Sequence, residues 1–231
     1  MDKKFRGLLI VLLGIMLLSG TVFASADADK ALDSLMKGNE RFIAGKPAAK
    51  EVGDVARKEL VKGQHPIATI LTCSDSRVPP EHIFDKGLGE IFVIRTAGNI
   101  TDKVCLGTIE YGVEHLHTPV FMIMGHSNCG AVKATIEATA HEEKAGHAEG
   151  NIGTLIETIK PAVEKAKKED PKHEHLADKS IEENVKLVYQ TILAKSPVVK
   201  KLAAEKKIKI VLAVYSLETG KVTIIGEPEV K

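Results

Sequence analysis

Four short runs of aliphatic residues constrain the fold of this 231-residue chain more than any other feature. Apolar residues follow one another almost without interruption in each run, which is typical of strands in a parallel sheet that is covered on both faces. The runs are Ile67 to Thr72, Ile91 to Arg95, Val120 to Met124 and Ile208 to Tyr215. The sequence therefore predicts an α/β fold with a mostly parallel, four-stranded core sheet.

Apolar residues at helical spacing fill the stretches before and between these runs. The first of these stretches predicts an N-terminal helical extension with an apolar face of Leu32, Leu35, Met36, Phe42 and Ile43. The others predict flanking helices, and they comprise Val104, Ile109, Val113 and Leu116, then Ile152 to Lys168, and finally Ile181 to Leu193.

Residues with soft donor atoms stand at the ends of two of the runs. Cys73 directly follows the first run, whereas His126 and Cys129 follow the third run through Gly125 and open the next helix. If one metal ion joins these three side chains, the first and third strands must be neighbours. With the second strand on the other side of the first, the strand order is 2-1-3-4, and the ligand lies at the topological switch point of the sheet.

Two thiolates and one imidazole suit a tetrahedral Zn²⁺ ion that keeps one coordination position for chemistry. Asp75 and Arg77 follow the first thiolate at two and four residues. Three other interpretations stay open: two core thiols with a core histidine, a closed structural zinc site, and a redox site. A redox site of this kind typically contains a C-x-x-C motif, which the chain lacks.

Residues 1–26 have the pattern of a signal peptide. Basic residues precede an apolar run from Leu8 to Leu18, and the small residues up to Ala26 offer a cleavage site. The run is too short to cross about 30 Å of hydrocarbon as a retained anchor. We therefore expect residues 27–231 to form a single exported domain, periplasmic or secreted, with no stable membrane anchor after cleavage.

Composition narrows the partners and the role of the third cysteine. A net charge of +1 with 4% aromatic residues and no Trp does not indicate nucleic acid as a partner. Cys105 lies inside a predicted helix and is expected to be a small buried hydrophobe.

The polar segments 140–150 and 169–175 are expected to be surface connections, and their histidines to be solvated rather than a second metal site. These histidines are His141, His147, His173 and His175.

Three segments together resemble the β-class carbonic anhydrases. They are C-S-D-S-R-V-P-P-E from Cys73, I-F-D-K-G-L-G-E-I-F-V-I-R-T-A-G-N from Ile83, and G-H-S-N-C-G-A from Gly125. The run Y-S-L-E-T-G-K-V from Tyr215 is similar too. The resemblance implies reversible hydration of CO₂ to bicarbonate with one Zn²⁺ per chain. It also implies a homodimer or higher homo-oligomer, because family members build each active-site cleft at a subunit interface.

Position by position, the resemblance assigns Cys73, His126 and Cys129 as zinc ligands, and Asp75 and Arg77 as the catalytic pair beside the metal. Asp75 would accept a hydrogen bond from the zinc-bound hydroxide that attacks CO₂, while Arg77 would hold the carboxylate off the zinc. Without that clamp Asp75 would be a fourth ligand. Closed forms of the family often use a pocket with a Trp, which this chain lacks, so the open form is expected near neutral pH.

The resemblance also implies a substrate pocket. Ala97 and Gly98 would wall a small apolar slot, and the backbone N–H of Gly130 would meet developing negative charge at a helix N-terminus. Tight backbone packing is the alternative role of both glycines. Many family members carry Gln at the position of Lys86. Here Lys86 would be either a charged donor in the pocket or a residue that points to solvent. It motivates a second hypothesis, a non-catalytic, zinc-containing bicarbonate- or anion-binding protein of the same fold.

Overall fold

The computed structural model describes residues 26–140 and 150–230. Its strands are β1 (Ala68–Cys73), β2 (Phe92–Thr96), β3 (Val120–His126), β4 (Lys209–Tyr215) and β5 (Val222–Gly226). They form one sheet in the order β2-β1-β3-β4-β5, in which only the β4–β5 pairing is antiparallel. The predicted fold class and the strand order 2-1-3-4 are confirmed.

The described helices surround this sheet. They are α1 (26–43), α2 (Asp54–Leu60), α3 (Pro80–Ile83), α4 (Lys103–Glu110), α5 (Gly130–Ala140), α6 (Ile152–Glu169), α7 (Leu176–Lys195) and α8 (Pro197–Ala204). A 3₁₀ turn (Ala97–Asn99) follows β2, and a π-helical turn (Tyr111–His115) follows α4. The predicted N-terminal extension and flanking helices correspond to α1, α4 with the π-helical turn, α6 and α7.

Both faces of the central strands are buried, which explains the uninterrupted apolar runs. Alternate residues of a strand point to opposite faces. Ile70 and Met122 pack with Leu35 of α1 on one face. Leu71 and Ile123 belong to the second cluster, which α4, α7 and α8 cover on the other face.

The edge strand β5 has a weaker sequence pattern and was missed by the aliphatic-run criterion. Only Val222 of its residues is buried, and the other four are partly or fully exposed. The pairing with β4 is also irregular between Leu212 and Ala213. A strand that is covered on little of its surface does not need a continuous apolar run, so the sequence carries little signal for it.

One buried polar side chain of helix α1 bonds to two other parts of this chain. Asn39 is 2% exposed. Its amide nitrogen donates to the carbonyls of Ile83 at 3.2 Å and Gly220 at 2.8 Å, and its amide oxygen accepts from the Val222 amide at 2.9 Å. A single polar residue thereby joins the N-terminal helix to the end of α3 and to the β4–β5 turn.

Several predictions from the sequence concern residues outside the described ranges. Among the helices of residues 26–140 and 150–230, none is long and apolar enough to cross a membrane. The predicted signal peptide lies almost wholly outside these ranges, as does most of the connection 140–150 with His141 and His147. His173 and His175 are exposed, and Cys105 is buried in α4 as expected.

Candidate metal centre

The topology brings three soft donor atoms together at the carboxyl end of the sheet. Strands β1 and β3 pair in parallel, with Thr72 opposite Met124, so the residues that follow are neighbours. Cys73 is the last residue of β1, His126 is the last of β3, and Cys129 directly precedes α5. One ligand atom from each of the three lies within 4.8 Å of the others, and all three residues are buried. In the described part of the chain, no other group of three or more such side chains converges in this way.

A sharp turn carries the chain from His126 to Cys129. The Ser127 amide donates to the Tyr215 carbonyl on β4 at 2.8 Å, and the Ser127 hydroxyl accepts from the Leu217 amide at 2.9 Å. Asn128 then adopts a positive φ of 57°, a conformation that Asn tolerates better than most residues. The turn is thus held against the neighbouring strand, and it returns the Cys129 sulfur to the end of β1.

The imidazole of His126 is oriented as a metal ligand. Its Nδ1 lies 2.9 Å from the Ser127 carbonyl oxygen, to which it donates, so Nε2 carries the lone pair. Nε2 is fully buried and has no hydrogen-bond partner among the described residues. A buried acceptor beside two sulfurs is costly unless something binds it. The donor set therefore fits Zn²⁺, which prefers sulfur and imidazole nitrogen.

The surroundings of the cluster favour a thiolate at Cys73. The Cys129 thiol and the Gly98 amide, as hydrogen-bond donors, lower the pKa of Cys73 to about 4 although burial opposes the shift. The hydrogen bond between the two cysteines, together with burial, raises the pKa of Cys129. The Gly98 amide lies 3.3 Å from the Cys73 sulfur. A thiolate, the form that binds metal, is therefore already stabilised at Cys73.

Asp75 lies beside the cluster and is held by Arg77. The Arg77 amide and Nε donate to Asp75 Oδ1 at 3.0 and 2.9 Å, and Nη2 donates to Oδ2 at 2.7 Å. Asp75 Oδ2 is 3.9 Å from His126 Nε2. The hydrogen bonds from Arg77 hold the pKa of Asp75 well below its usual range. The carboxylate thus stays ionised, with both oxygens bonded to the guanidinium and one facing the ligand atoms.

Arg95 is a site residue that the sequence analysis missed. Its Nε donates to the Cys73 carbonyl at 3.1 Å, and its Nη2 donates to the Asp75 carbonyl. Because β2 runs beside β1, with Arg95 opposite Thr72, the side chain reaches across the end of the sheet and braces the backbone that carries both functional residues. An Arg at the end of an otherwise aliphatic strand was the available signal.

The two glycines predicted for the substrate pocket differ. Gly98 lies in the 3₁₀ turn with Ala97 and has a φ of 68°. A Cβ at Gly98 would be 2.7 Å from Ile159 Cδ1, so tight packing also requires a glycine there. Gly130 is the first residue of α5, and a Cβ at Gly130 would meet nothing within 4 Å. Open space therefore lies beside the N-terminus of α5.

Lys86 lies elsewhere in this chain. Its ammonium group donates to the Ser34 hydroxyl of α1 at 2.6 Å. It lines a cavity of about 710 Å³ with residues from the segments 42–52 and 81–91, none of which is Cys73, His126 or Cys129. The structure does not join Lys86 to the ligand cluster of its own chain, and its role in a substrate pocket stays a prediction.

Comparisons with known proteins agree with this geometry. The family model described as carbonic anhydrase matches residues 68–222. Carbonic anhydrase 2 of Mycobacterium tuberculosis is 34% identical over 195 residues, which are 84% of this chain and 91% of that relative. The β-carbonic anhydrase of Coccomyxa, solved in complex with acetazolamide, is 27% identical with a TM-score of 0.60, covering 75% of this chain and 78% of that one. A tetrameric β-carbonic anhydrase of Sordaria macrospora shares the fold at 24% identity with a TM-score of 0.65, covering 74% and 85%.

Proposed function

Because the chain belongs to the carbonic anhydrase family, in its β class, we propose that it catalyses the reversible hydration of CO₂ to bicarbonate and a proton. The observation that carries this proposal is the convergence of Cys73, His126 and Cys129 beside the carboxylate of Asp75. The alternative is that the three residues are only a core histidine and two core thiols. It does not explain why an ionised carboxylate lies beside His126 Nε2, which has no hydrogen-bond partner among the described residues.

The three donors would hold one Zn²⁺ ion, which as a Lewis acid makes water a competent nucleophile near neutral pH. Two thiolates cancel the formal charge of such an ion, so groups of the protein have to compensate. The Gly98 amide does so at one sulfur, because its hydrogen bond withdraws electron density from Cys73. Asp75 compensates in another way, because it acts on the attacking water.

Asp75 orients the attacking water. Arg77 Nη2 uses one lone pair of Asp75 Oδ2, and a carboxylate oxygen has a second one. That lone pair accepts a hydrogen bond from the water and thereby aims the oxygen of the water at the carbon of CO₂. The proton that is released passes to solvent. The helix N-terminus at Gly130, beside open space, favours the negative charge that develops on the product.

Stopped-flow CO₂ hydration with the zinc-loaded protein tests this proposal. Activity should be well above the buffer rate and should be inhibited by small anions, while the Cys73→Ser variant should show the buffer rate. Activity of the unaltered protein no greater than that of the variant would contradict the proposal. If calorimetry then detected bicarbonate binding without hydration at any pH from about 6 to 9, the protein would be the anion-binding alternative.

We also propose that the protein is a homodimer or a higher homo-oligomer. The outer face of α4 and of the π-helical turn exposes Val104 at 79% and Tyr111 at 47%, and the Tyr111 ring lies 6.0 Å from that of Phe92. An apolar face of this kind suits a second copy of the chain. Val104→Glu should lower the mass measured by light scattering, whereas Ile152→Glu, another exposed aliphatic position, should not. An unchanged mass in the first variant would assign the contact to another face.

Export is a separate proposal that rests on the pattern of residues 1–26. The basic start, the apolar run and the small residues before Asp27 support it. Intact-mass analysis of the protein recovered outside the cytoplasm should give a chain that begins at Asp27. Recovery of the full-length chain from the cytoplasm alone would contradict the proposal.

A further inference from the structure

Asn184 is a buried polar residue of α7 that contacts the turn beside the metal centre. It is 1% exposed, and its amide nitrogen donates to the Gly98 carbonyl at 2.8 Å, across 86 residues of sequence. The turn that it contacts has two successive residues with positive φ, Gly98 at 68° and Asn99 at 46°. Asn tolerates this conformation better than most residues, so the shape of the turn is allowed, and the hydrogen bond from Asn184 helps to hold it.

The same glycine contacts the metal centre through its other polar group. While the Gly98 carbonyl accepts from Asn184, the Gly98 amide donates to the Cys73 sulfur at 3.3 Å. Packing restrains the residue further, since a Cβ at this position would lie 2.7 Å from Ile159 Cδ1 and 3.2 Å from Ala131 Cβ, so both neighbours would have to shift. A chain of two hydrogen bonds therefore leads from α7 to a ligand sulfur.

We propose that Asn184 is a positioning residue that acts on the metal centre through Gly98. By holding the Gly98 carbonyl, it sets the orientation of this backbone turn and thereby the hydrogen bond from the Gly98 amide to Cys73. That bond withdraws electron density from the sulfur and weakens its donation to the metal. The inference rests on the proposed metal site and adds to it a residue that neither touches the metal nor faces the substrate.

The expected size follows from other metal sites. Groups that hydrogen-bond to a ligand typically change metal affinity or activity by about 10- to 100-fold when they are removed. Asn184 acts one step further away, but the Gly98 carbonyl is buried, so removal of its donor leaves an unpaired acceptor that favours rotation of the turn. A role in packing alone would lower stability and leave the electronic state of the sulfur unchanged.

Cobalt substitution separates the two roles. Co²⁺ bound to thiolate gives a sulfur-to-metal charge-transfer band, which moves to lower energy when the sulfur loses a hydrogen bond. In Asn184→Leu, which keeps the size of the side chain but has no donor, this band should shift to longer wavelength. Zinc affinity, measured by competition with a chelator, should change by about 10-fold or more.

Ser180→Ala is the matched control. Ser180 lies one turn earlier on α7, is fully buried, and has a hydroxyl without a hydrogen-bond partner among the described residues. Its substitution should leave the band and the affinity unchanged. If Asn184→Leu does not fold, Asn184→Ala, which also lacks the donor, replaces it in the same comparison.

The outcomes distinguish this inference from the proposal on which it rests. A wild-type band with no shift in a folded Asn184 variant would overturn the role of Asn184 and leave the metal site intact. Absence of any sulfur-to-cobalt band in the wild-type protein would overturn the metal site itself. A shift in both Asn184→Leu and Ser180→Ala would assign the effect to general packing of α7 and would also overturn the inference.

Discussion

Asp75 and Asp85 each pair with a guanidinium group, but the two pairs serve different ends. Asp75 accepts three hydrogen bonds from Arg77, two residues away, beside the metal ligands. Asp85 is buried, with its side chain 3% exposed, and is bound by Arg41, the Ala48 amide and Lys50. This second cluster joins the end of α1 to the segment after α3, across 44 residues between the two charged partners.

The comparison shows that position, not chemical identity, decides what such a pair does. The Asp75–Arg77 pair joins residues within one turn of chain, so its formation orders little of the protein. Its effect is to fix the direction of a carboxylate oxygen of Asp75. The Asp85 cluster closes a long loop and contributes to folding, because its partners meet only when the surrounding elements have packed. We therefore expect substitutions in the first pair to alter rates and substitutions in the second to alter stability.

Asp75→Asn should have the largest effect. An amide can keep part of the contact with Arg77 but is a poorer acceptor for the attacking water, so kcat/KM should fall by about 100-fold or more. Zinc content should stay near one per chain, and the urea midpoint should be close to that of the wild-type protein. Loss of zinc together with activity would instead assign Asp75 to the metal ligands.

Asp85→Asn should destabilise the protein without an effect on the catalytic rate. The substitution weakens charge-assisted hydrogen bonds in a buried position and leaves Lys50 without its partner, which should cost about 1.5–3 kcal/mol of unfolding free energy. Urea unfolding gives this value, and kcat/KM is measured at a temperature where the variant is folded. A large loss of activity in the folded variant would contradict the division between the two pairs.

Arg77→Lys should have a smaller effect than Asp75→Asn. Lysine keeps the positive charge but cannot form the two-pronged contact, so the carboxylate is held less firmly and kcat/KM should fall by about 10-fold. Arg41→Lys is the matched control in the other pair, and it should leave kcat/KM unchanged. Equal losses in the two variants would mean that the rate depends on general stability.

Acid should narrow the difference between the wild-type protein and Asp85→Asn. Burial raises the pKa of Asp85, but the Ala48 amide, Arg41 and Lys50 outweigh it, so the pKa lies below its usual range. A carboxyl group with a lowered pKa contributes stability above its unfolded pKa of about 4, and this contribution is lost as the pH falls through the folded pKa. The difference in unfolding free energy between the wild-type protein and Asp85→Asn should thus be largest near neutral pH. It should shrink as the pH falls below about 4.

Urea titrations of both proteins at pH 7 and pH 3 measure this narrowing. Both proteins have the same ligand cluster, so acid release of a metal would affect them equally. A gap that is the same at the two pH values would show that Asp85 contributes by its shape and not by its charge.

The order of the central strands and the position of the ligands could be predicted from the sequence. Cys73 and His126 each end an aliphatic run, and one metal cannot reach both unless the two strands are neighbours. The short helices α2, α3 and α8 and the strand β5 could not be predicted in this way, because they bury few residues and leave little periodicity in the sequence.

By itself, the sequence determined the kinds of groups available and their local arrangement: aliphatic runs that must be buried, soft ligands at the ends of two of them, and a carboxylate two residues from its guanidinium partner. Only the tertiary structure decided which distant groups support them. Arg95 reaches the Cys73 and Asp75 carbonyls through the register of β1 and β2, and Asn184 reaches Gly98 through the packing of α7. Such contacts depend on how whole elements pack, and no local pattern of residues records the partner of a side chain that lies tens of residues away.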